Sequence, residues 1–376
     1  MRILVLTKRQ YMGKDLLDDR FGRFRELPLE LAKLGHEVTG ICLSYRPRQK
    51  GLVKDFNHNP DAYVTWYSLN LGRVLIPGVI NYLQKVRRLA NQISPDIIWA
   101  CSDSFHAIFG VWLAHLLNTK CVVDLYDTFE GFAATRLPGV LPLFRWAVRA
   151  ADGVTCISQR LADRIRQNYQ RSGPITALES GIRPDFFYPK DKTSCRRLLG
   201  LPEKAKIIGT AGALHRNRGI HALFNGFELL CAENKNLHLA IAGPRNRRSQ
   251  IPSSPMVHDL GTLPWEKVPI FFNSLDVAVI CFRDSLIGRH SFPQKAYEIL
   301  ACQTPLVAAA VGTMEDLLDG HPECLFEPES PQSCAKAIRS QLIKPTVLDF
   351  DTPSWGEMAK QLETFLTKVT TSKTLA

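Results

Sequence analysis

The sequence predicts an α/β protein made of two doubly wound parallel-sheet domains. Short apolar runs alternate with helix-period segments along most of the chain, and the alternation restarts after residue 189. A length of 376 residues supplies enough chain for two hydrophobic cores.

Ile3–Leu6 is the first strand. Phe24 to Leu34 is a helix ended by Gly35–His36, and Glu37–Leu43 is a strand, polar at first and then buried. A basic loop carrying Arg46, Arg48, Lys50 and Lys54 leads to a strand near Tyr63–Tyr67. Val79 to Gln92 is an amphipathic helix whose polar side holds Lys85, Arg87 and Arg88. Asp96–Ala100, Cys121–Leu125 and Gly153–Ile157 read as buried strands with helices between them, and Ile175–Leu178 follows.

The polar stretch Pro189–Thr193 is expected as a hinge. After it come strands at Ile207–Ala211, Leu237–Ala242, Val277–Cys281 and Leu306–Ala310, with helices at about 219–233, 266–274, 294–302 and 331–343. Trp355, Met358, Ala359, Leu362, Phe365 and Leu366 recur at helical spacing in the tail. The expected divisions are 1–188, 189–352 and 353–376. Open α/β sheets bind ligands beyond the carboxyl ends of their strands, so two such sheets face to face would line a cleft.

Composition narrows the function. Hydrophobic residues at 45% and charged ones at 22% are ordinary for a globular protein. Lys and Arg number 47 against 36 Asp and Glu, a formal charge of +11, which favours nucleotide phosphates, nucleic acid or an acidic membrane face as partners. The basic residues are spread over both halves without a recognition-helix pattern, which disfavours nucleic acid. Ten cysteines form no C-x-x-C pair and read as reduced, buried side chains. Lys8 and Arg9 interrupt the first apolar run too early for a signal-peptide core, and no later run approaches 18 apolar residues.

Two segments carry candidate chemistry. Gly209–Gly219 is a Gly-rich strand-to-helix turn containing Arg216 and Arg218, suited to an anion. Ser291–Ala309 joins a polar loop, a short helix bearing Lys295 and Glu298, a turn at Gln303–Pro305 and a buried strand. Glu298 is read as an exposed carboxylate facing whatever lies before its helix.

The second of these segments resembles the nucleotide-sugar site of retaining glycosyltransferases of the GT-B fold, family 4 (glycosyl transferases group 1). Asp152–Ser158, Glu179–Pro189, Ala242-Gly-Pro244 and Leu260–Gly261 match further family segments in the family's order. The resemblance implies two Rossmann-like domains facing a cleft, with the terminal helix crossing back to the first. It implies that Glu298 binds the ribose hydroxyls of the donor and that Arg218 takes the position of the usual phosphate-binding Lys. The usual Arg falls on Gly212, a departure, so Arg216 is expected to supply that charge. His290 stands where the family's E-x7-E pattern has its first Glu. The loop with His290, Ser291 and Phe292 is then expected to hold the donor sugar, with Lys295 near the phosphates.

By the same resemblance, Gly13 lies close to the diphosphate. The active-site His that many members carry is absent after Val122–Asp127, which leaves Asp127 or His106 to orient the donor sugar or the acceptor hydroxyl. The implied reaction is retaining transfer from a UDP- or GDP-linked sugar to a glycan or lipid-linked acceptor, with the leaving phosphate drawing off the acceptor proton. No metal or further cofactor is expected, and Asp349-Phe-Asp351 is read as a capping segment. The setting implied is cell-surface polysaccharide, lipopolysaccharide or glycolipid synthesis, in the cytoplasm or peripheral on the inner membrane face. Arg46–Lys54 and Arg73–Arg88 would meet an anionic membrane there. The alternatives are a GT-B sugar-nucleotide epimerase and a basic nucleic-acid-binding protein.

Overall fold

The computed structural model describes residues 1–11, 13–20, 22–47, 51–56, 61–72, 74–245 and 249–372. The chain folds into two compact units, Met1–Gly181 with Trp355–Ala376, and Ile182–Ser354.

In the first unit the strands are β1 (Arg2–Lys8), β2 (Gln10–Tyr11), β3 (Lys14–Asp15), β4 (Glu37–Ser44), β5 (Gly51–Phe56), β6 (Tyr63–Asn70), β7 (Ile97–Ala100), β8 (Lys120–Leu125), β9 (Gly153–Cys156) and β10 (Ile175–Ala177). Among the described residues, eight of them form one sheet in the order β10-β9-β8-β7-β1-β4-β6-β5, parallel except for β5. β2 and β3 form a separate hairpin. The order reverses at β1, between β7 and β4, so the crevice at a topological switch point opens beyond Lys8 and Ala100.

The basic loop is corrected by this topology. Residues 51–56 are an antiparallel edge strand, and Arg48, Lys50 and Arg73 lie outside the described residues. The edge is fastened through Asp55, which accepts two bonds at 2.8 and 2.9 Å from the Arg25 guanidinium. Lys54 lies over the Tyr63 ring at 4.5 Å. The helix expected from Val79 starts earlier, at Leu75, and runs to Ile93.

One face of this sheet packs Phe24, Leu27 and Leu31 of helix Arg23–Lys33 with Trp355, Met358, Leu362 and Leu366 of helix Trp355–Thr371. A buried ion pair between Arg23 and Asp124 at 2.8 Å, shared with Thr155, ties that first helix to β8 and β9.

The second unit carries β11 (Lys206–Ala211), β12 (Leu237–Ala242), β13 (Val257–Asp259), β14 (Val277–Ile280), β15 (Leu306–Ala309) and β16 (Leu325–Phe326). They form a parallel sheet in the order β13-β12-β11-β14-β15-β16 among the described residues. Its order reverses between β11 and β14. The helices expected from the pattern are present at His221–Glu233, Val268–Ser274, Gln294–Ala301 and Pro331–Ile343. Pro189–Thr193 belongs to this unit, where Asp191 caps helix Lys192–Leu199 by accepting from the Ser194 N–H. No described helix is long and apolar enough to cross a membrane.

Candidate functional site

The strongest constellation lies in the second unit, at the carboxyl ends of β11 and β14. Three turns are laid against one another there. Gly212 (φ +118°) follows β11, Gly243 (φ +131°) follows β12, and the Gly243 N–H donates to the Gly261 carbonyl at 2.7 Å. A Cβ on Gly243 would come within 2.0 Å of the Gly212 carbonyl oxygen, so the Gly-Pro pair is required by close backbone approach as well as by its left-handed φ. The chain then makes a single 3-10 turn, Arg216–Arg218, before helix His221–Glu233. Arg216 and Arg218 are exposed, and their side chains make no hydrogen bond or ion pair among the described residues.

Lys295 and Glu298 reach the same place from helix Gln294–Ala301. The Lys295 ammonium donates to the Ala211 carbonyl at 3.1 Å, and a Cβ on Gly212 would lie 3.5 Å from it. The position that departs from the family's Arg is therefore a glycine with a lysine beside it. Burial lowers the pKa of Lys295, and the charge of Arg218 lowers it further, against the pull of Glu298. Unpaired cations held together by the fold lose that repulsion when an anion arrives.

Glu298 corrects the expectation of an exposed carboxylate. It is 8% exposed, lies in the middle of its helix, and accepts from Gln294 Nε2 at 3.0 Å. Burial pushes its pKa up to about 7, against smaller opposing effects from Gln294 and Lys295. Such a group gains from hydroxyl donors, because they compensate a desolvated carboxylate.

The loop before that helix is placed differently from the sequence expectation. His290 ends the short helix Leu286–His290, and its Nδ1 donates to the Leu286 carbonyl at 2.8 Å. Ser291 Oγ donates to the Ile287 carbonyl at 2.7 Å, and its own carbonyl accepts from Thr313. Phe292 is buried against Tyr297 with ring centroids 4.6 Å apart, so its side chain anchors the loop. A Cβ on Gly312 (φ +60°) would sit 2.5 Å from the Arg289 carbonyl oxygen, which shows how closely the neighbouring turn presses on this loop.

In the first unit, Gly13 (φ +79°) is exposed at the tip of the β2–β3 hairpin. The hairpin is fixed by Arg9, bonded to Asp15 at 2.8 Å, Asp18 at 2.6 Å and Ser68 at 2.9 Å. Sequence reasoning missed a cluster at the switch point beside it. Lys8, the last residue of β1, donates from Nζ to the Tyr126 hydroxyl at 3.3 Å, and its backbone N–H donates to Ser102. Asp103 caps helix Ser104–Leu117. It accepts from the His106 N–H at 2.9 Å, from His106 Nδ1 at 2.7 Å and from the Tyr45 hydroxyl at 3.2 Å.

His106 is therefore corrected as a contact residue. Its side chain is fully buried, and its ring stands behind Asp103, whose side chain is 14% exposed. Since a carboxylate only accepts, Nδ1 carries the hydrogen and His106 positions Asp103. Burial works against the Asp103 charge, yet the His106 bonds and the Lys8 charge outweigh it and hold its pKa below the ordinary range. Asp127, half-buried, accepts from the Thr128 N–H at 2.7 Å and lies near enough to Lys8 to oppose the burial that lowers the Lys8 pKa. The signal for Lys8 and Asp103 was positional: each stands at or just past the end of a strand that flanks the reversal of order.

Among the described residues, no group of three or more His, Cys, Asp or Glu is arranged to hold a metal ion. Asp349 and Asp351 are exposed ahead of the last helix. A cavity of about 440 Å³ lined by Phe186, Lys190, Cys195, Leu198 and Ile270 lies elsewhere in the second unit and includes none of the expected donor residues.

Both halves of the chain match known protein families. Residues 23–186 match glycosyltransferase family 4, and residues 205–343 match glycosyl transferases group 1. The chain belongs to glycosyltransferase family 4 and has the GT-B fold. It is 24% identical over 87% of its length to TuaC of Bacillus subtilis, a glycosyltransferase assigned to teichuronic acid biosynthesis, and spans 87% of that protein. It is 29% identical over 65% of its length to a D-inositol 3-phosphate glycosyltransferase of Stackebrandtia nassauensis, spanning 57% of that relative's own length. Among solved structures, HepE of Anabaena in complex with UDP and glucose superimposes with a TM-score of 0.71 at 17% identity, over 97% of this chain and 99% of that one.

Proposed function

We propose that this glycosyltransferase transfers a sugar from a UDP- or GDP-linked donor, with retention and without a metal, to a glycan or lipid-linked acceptor. The observation that carries this reading is the meeting of Arg218, Lys295 and Glu298 at the Gly212 turn. Two unneutralised cations stand beside a carboxylate that lacks hydroxyl partners. A diphosphate answers the cations and a ribose diol answers the carboxylate.

In this reading Arg218, assisted by Arg216 and Lys295, stabilises the leaving diphosphate as the glycosidic bond breaks. Glu298 holds the ribose. The loop of His290, Ser291 and Phe292 meets the sugar chiefly through backbone and through ring atoms outside its own helix bonds. Asp103 and Asp127 orient the acceptor hydroxyl, and the leaving phosphate takes its proton. The likeness to TuaC supports a role in polysaccharide synthesis, which this reading assigns to the cytoplasmic side of the membrane.

The test is a thermal-shift series with UDP, GDP and their sugar conjugates. A matching ligand at 100 times its dissociation constant adds about 2.7 kcal/mol of stability. Absence of a shift with every nucleoside diphosphate would reject the reading.

A further inference from the structure

One side chain bridges the switch point of the first unit. Tyr45 follows β4, and its hydroxyl donates at 3.2 Å to Asp103, three residues past the end of β7. Those two strands flank β1, so the contact spans about 10 Å of sheet, two strand spacings. The backbone end of Tyr45 is fixed as well. Its N–H donates to Gln10 Oε1 at 3.1 Å, and Gln10 Nε2 donates to Ser44 at 2.9 Å and to Asp15 at 3.3 Å. Tyr45 is nevertheless 47% exposed. Isolated exposed tyrosines are common on protein surfaces, but those are free to turn in water, whereas this one is pinned at both ends.

The carboxylate that holds it has capacity left. Asp103 Oδ1 accepts from the His106 N–H at 2.9 Å and from His106 Nδ1 at 2.7 Å, which fills that oxygen. Asp103 Oδ2 accepts from the Tyr45 hydroxyl alone among the described residues. A carboxylate oxygen takes two donors, so one position is open, on the same oxygen that holds Tyr45. A hydroxyl received there comes in beside an exposed aromatic ring. A pyranose meets both demands, because its hydroxyls donate while the axial C–H bonds of one face are apolar and are drawn to the negative face of a ring.

We propose that Tyr45 is a stacking platform for a pyranose acceptor, one of whose hydroxyls is held by Asp103 Oδ2. This makes the group that receives the sugar a pyranose itself and excludes an acyclic alcohol, and it rests on the reading of the first unit as the acceptor side. A ring already fixed at both ends loses little conformational entropy when a sugar settles on it. An acyclic diol would satisfy Asp103 and leave the ring bare.

The experiment is saturation-transfer difference NMR on the full chain, with aromatic resonances irradiated, in the presence and absence of UDP or GDP. The probes are the methyl β-pyranosides of glucose, galactose and N-acetylglucosamine, with glycerol as the acyclic control. At least one pyranoside is expected to receive saturation, strongest at the axial hydrogens of one ring face, and glycerol none. Tyr45→Leu should weaken that binding about tenfold. Tyr45→Phe, which keeps the ring and gives up only the bond to Asp103, should retain most of the affinity and the same face selectivity. Both variants should keep the parental melting temperature and nucleotide-induced shift. Absence of transfer to every pyranoside, or unaltered binding by the Leu variant, would overturn the platform. Equal losses in the Leu and Phe variants would do so too, since Tyr45 would then only orient Asp103. The donor reading is judged separately on the same preparations: a protein that shifts with a nucleotide and binds no pyranoside fails the platform alone, and one that binds a pyranoside without any nucleotide shift fails the donor reading alone.

Discussion

The two switch-point clusters handle their charges in opposite ways. In the second unit, Arg216 and Arg218 lack partners among the described residues, Lys295 reaches only a backbone carbonyl, and Glu298 is desolvated with a single side-chain donor. In the first, the Lys8 ammonium donates to Tyr126, and Asp103 accepts from both His106 and Tyr45. A site left unsatisfied gains strongly from a charged ligand, whereas one already satisfied supplies orientation. The contrast fits the proposed function, in which the second unit holds the donor diphosphate and the first orients the acceptor hydroxyl.

The largest expected effect comes from removing an unsatisfied cation. Arg218→Ala should lower kcat by about 10²–10³, the usual scale for losing one electrostatic stabiliser of developing charge. Activity of the parent should persist in EDTA, and strict dependence on magnesium or manganese would break the comparison, because the leaving charge would then be met by an ion.

Glu298 gives the next effect, in stability. Its pKa rises from the ordinary glutamate value to about 7 in the folded chain, so the fold is favoured while the group is protonated. The resulting penalty is absent below about pH 4.5, grows up to pH 7 and is complete above it. Glu298→Gln should therefore melt like the parent at pH 4 and be more stable at pH 8 by about 2–3 kcal/mol. Donor affinity of the parent should rise from pH 6 to pH 8 as the carboxylate ionises, and the Gln variant should lose that slope. A parallel slope in both proteins would detach Glu298 from the ribose.

A smaller effect sharpens the other side. Asp103→Asn should raise the acceptor KM about tenfold, the loss of one charge-assisted hydrogen bond, and leave the donor KM unchanged. His106→Asn, which keeps a donor near the Nδ1 position, should lose less than His106→Leu. Equal losses would mean that His106 serves packing alone.

Much of this was legible in the sequence. Parallel strands buried on both faces announce themselves as apolar runs, and the Gly-rich turn and the Lys295–Glu298 helix stood out because glycines and charges interrupt those runs. The edge strand Gly51–Phe56 was not legible, since an edge needs no apolar run and its buried Asp55 is explained only by Arg25, 30 residues earlier. Asp103 was hidden for a similar reason. His106 draws the eye as a titratable residue, but only the helix geometry turns it behind the carboxylate that it supports. The burial of Glu298 likewise depends on packing between elements, which helix periodicity does not report.

Calorimetric titration of the parent and of Glu298→Ala with UDP and GDP tests the central claim most directly. The parent should bind one of the two nucleotides, and the Ala variant should bind it more weakly by about 1.5–3 kcal/mol, the value of hydrogen bonds from hydroxyls to a carboxylate. Equal affinity in the two proteins would contradict the assignment of Glu298 and the Gly212 turn to the donor.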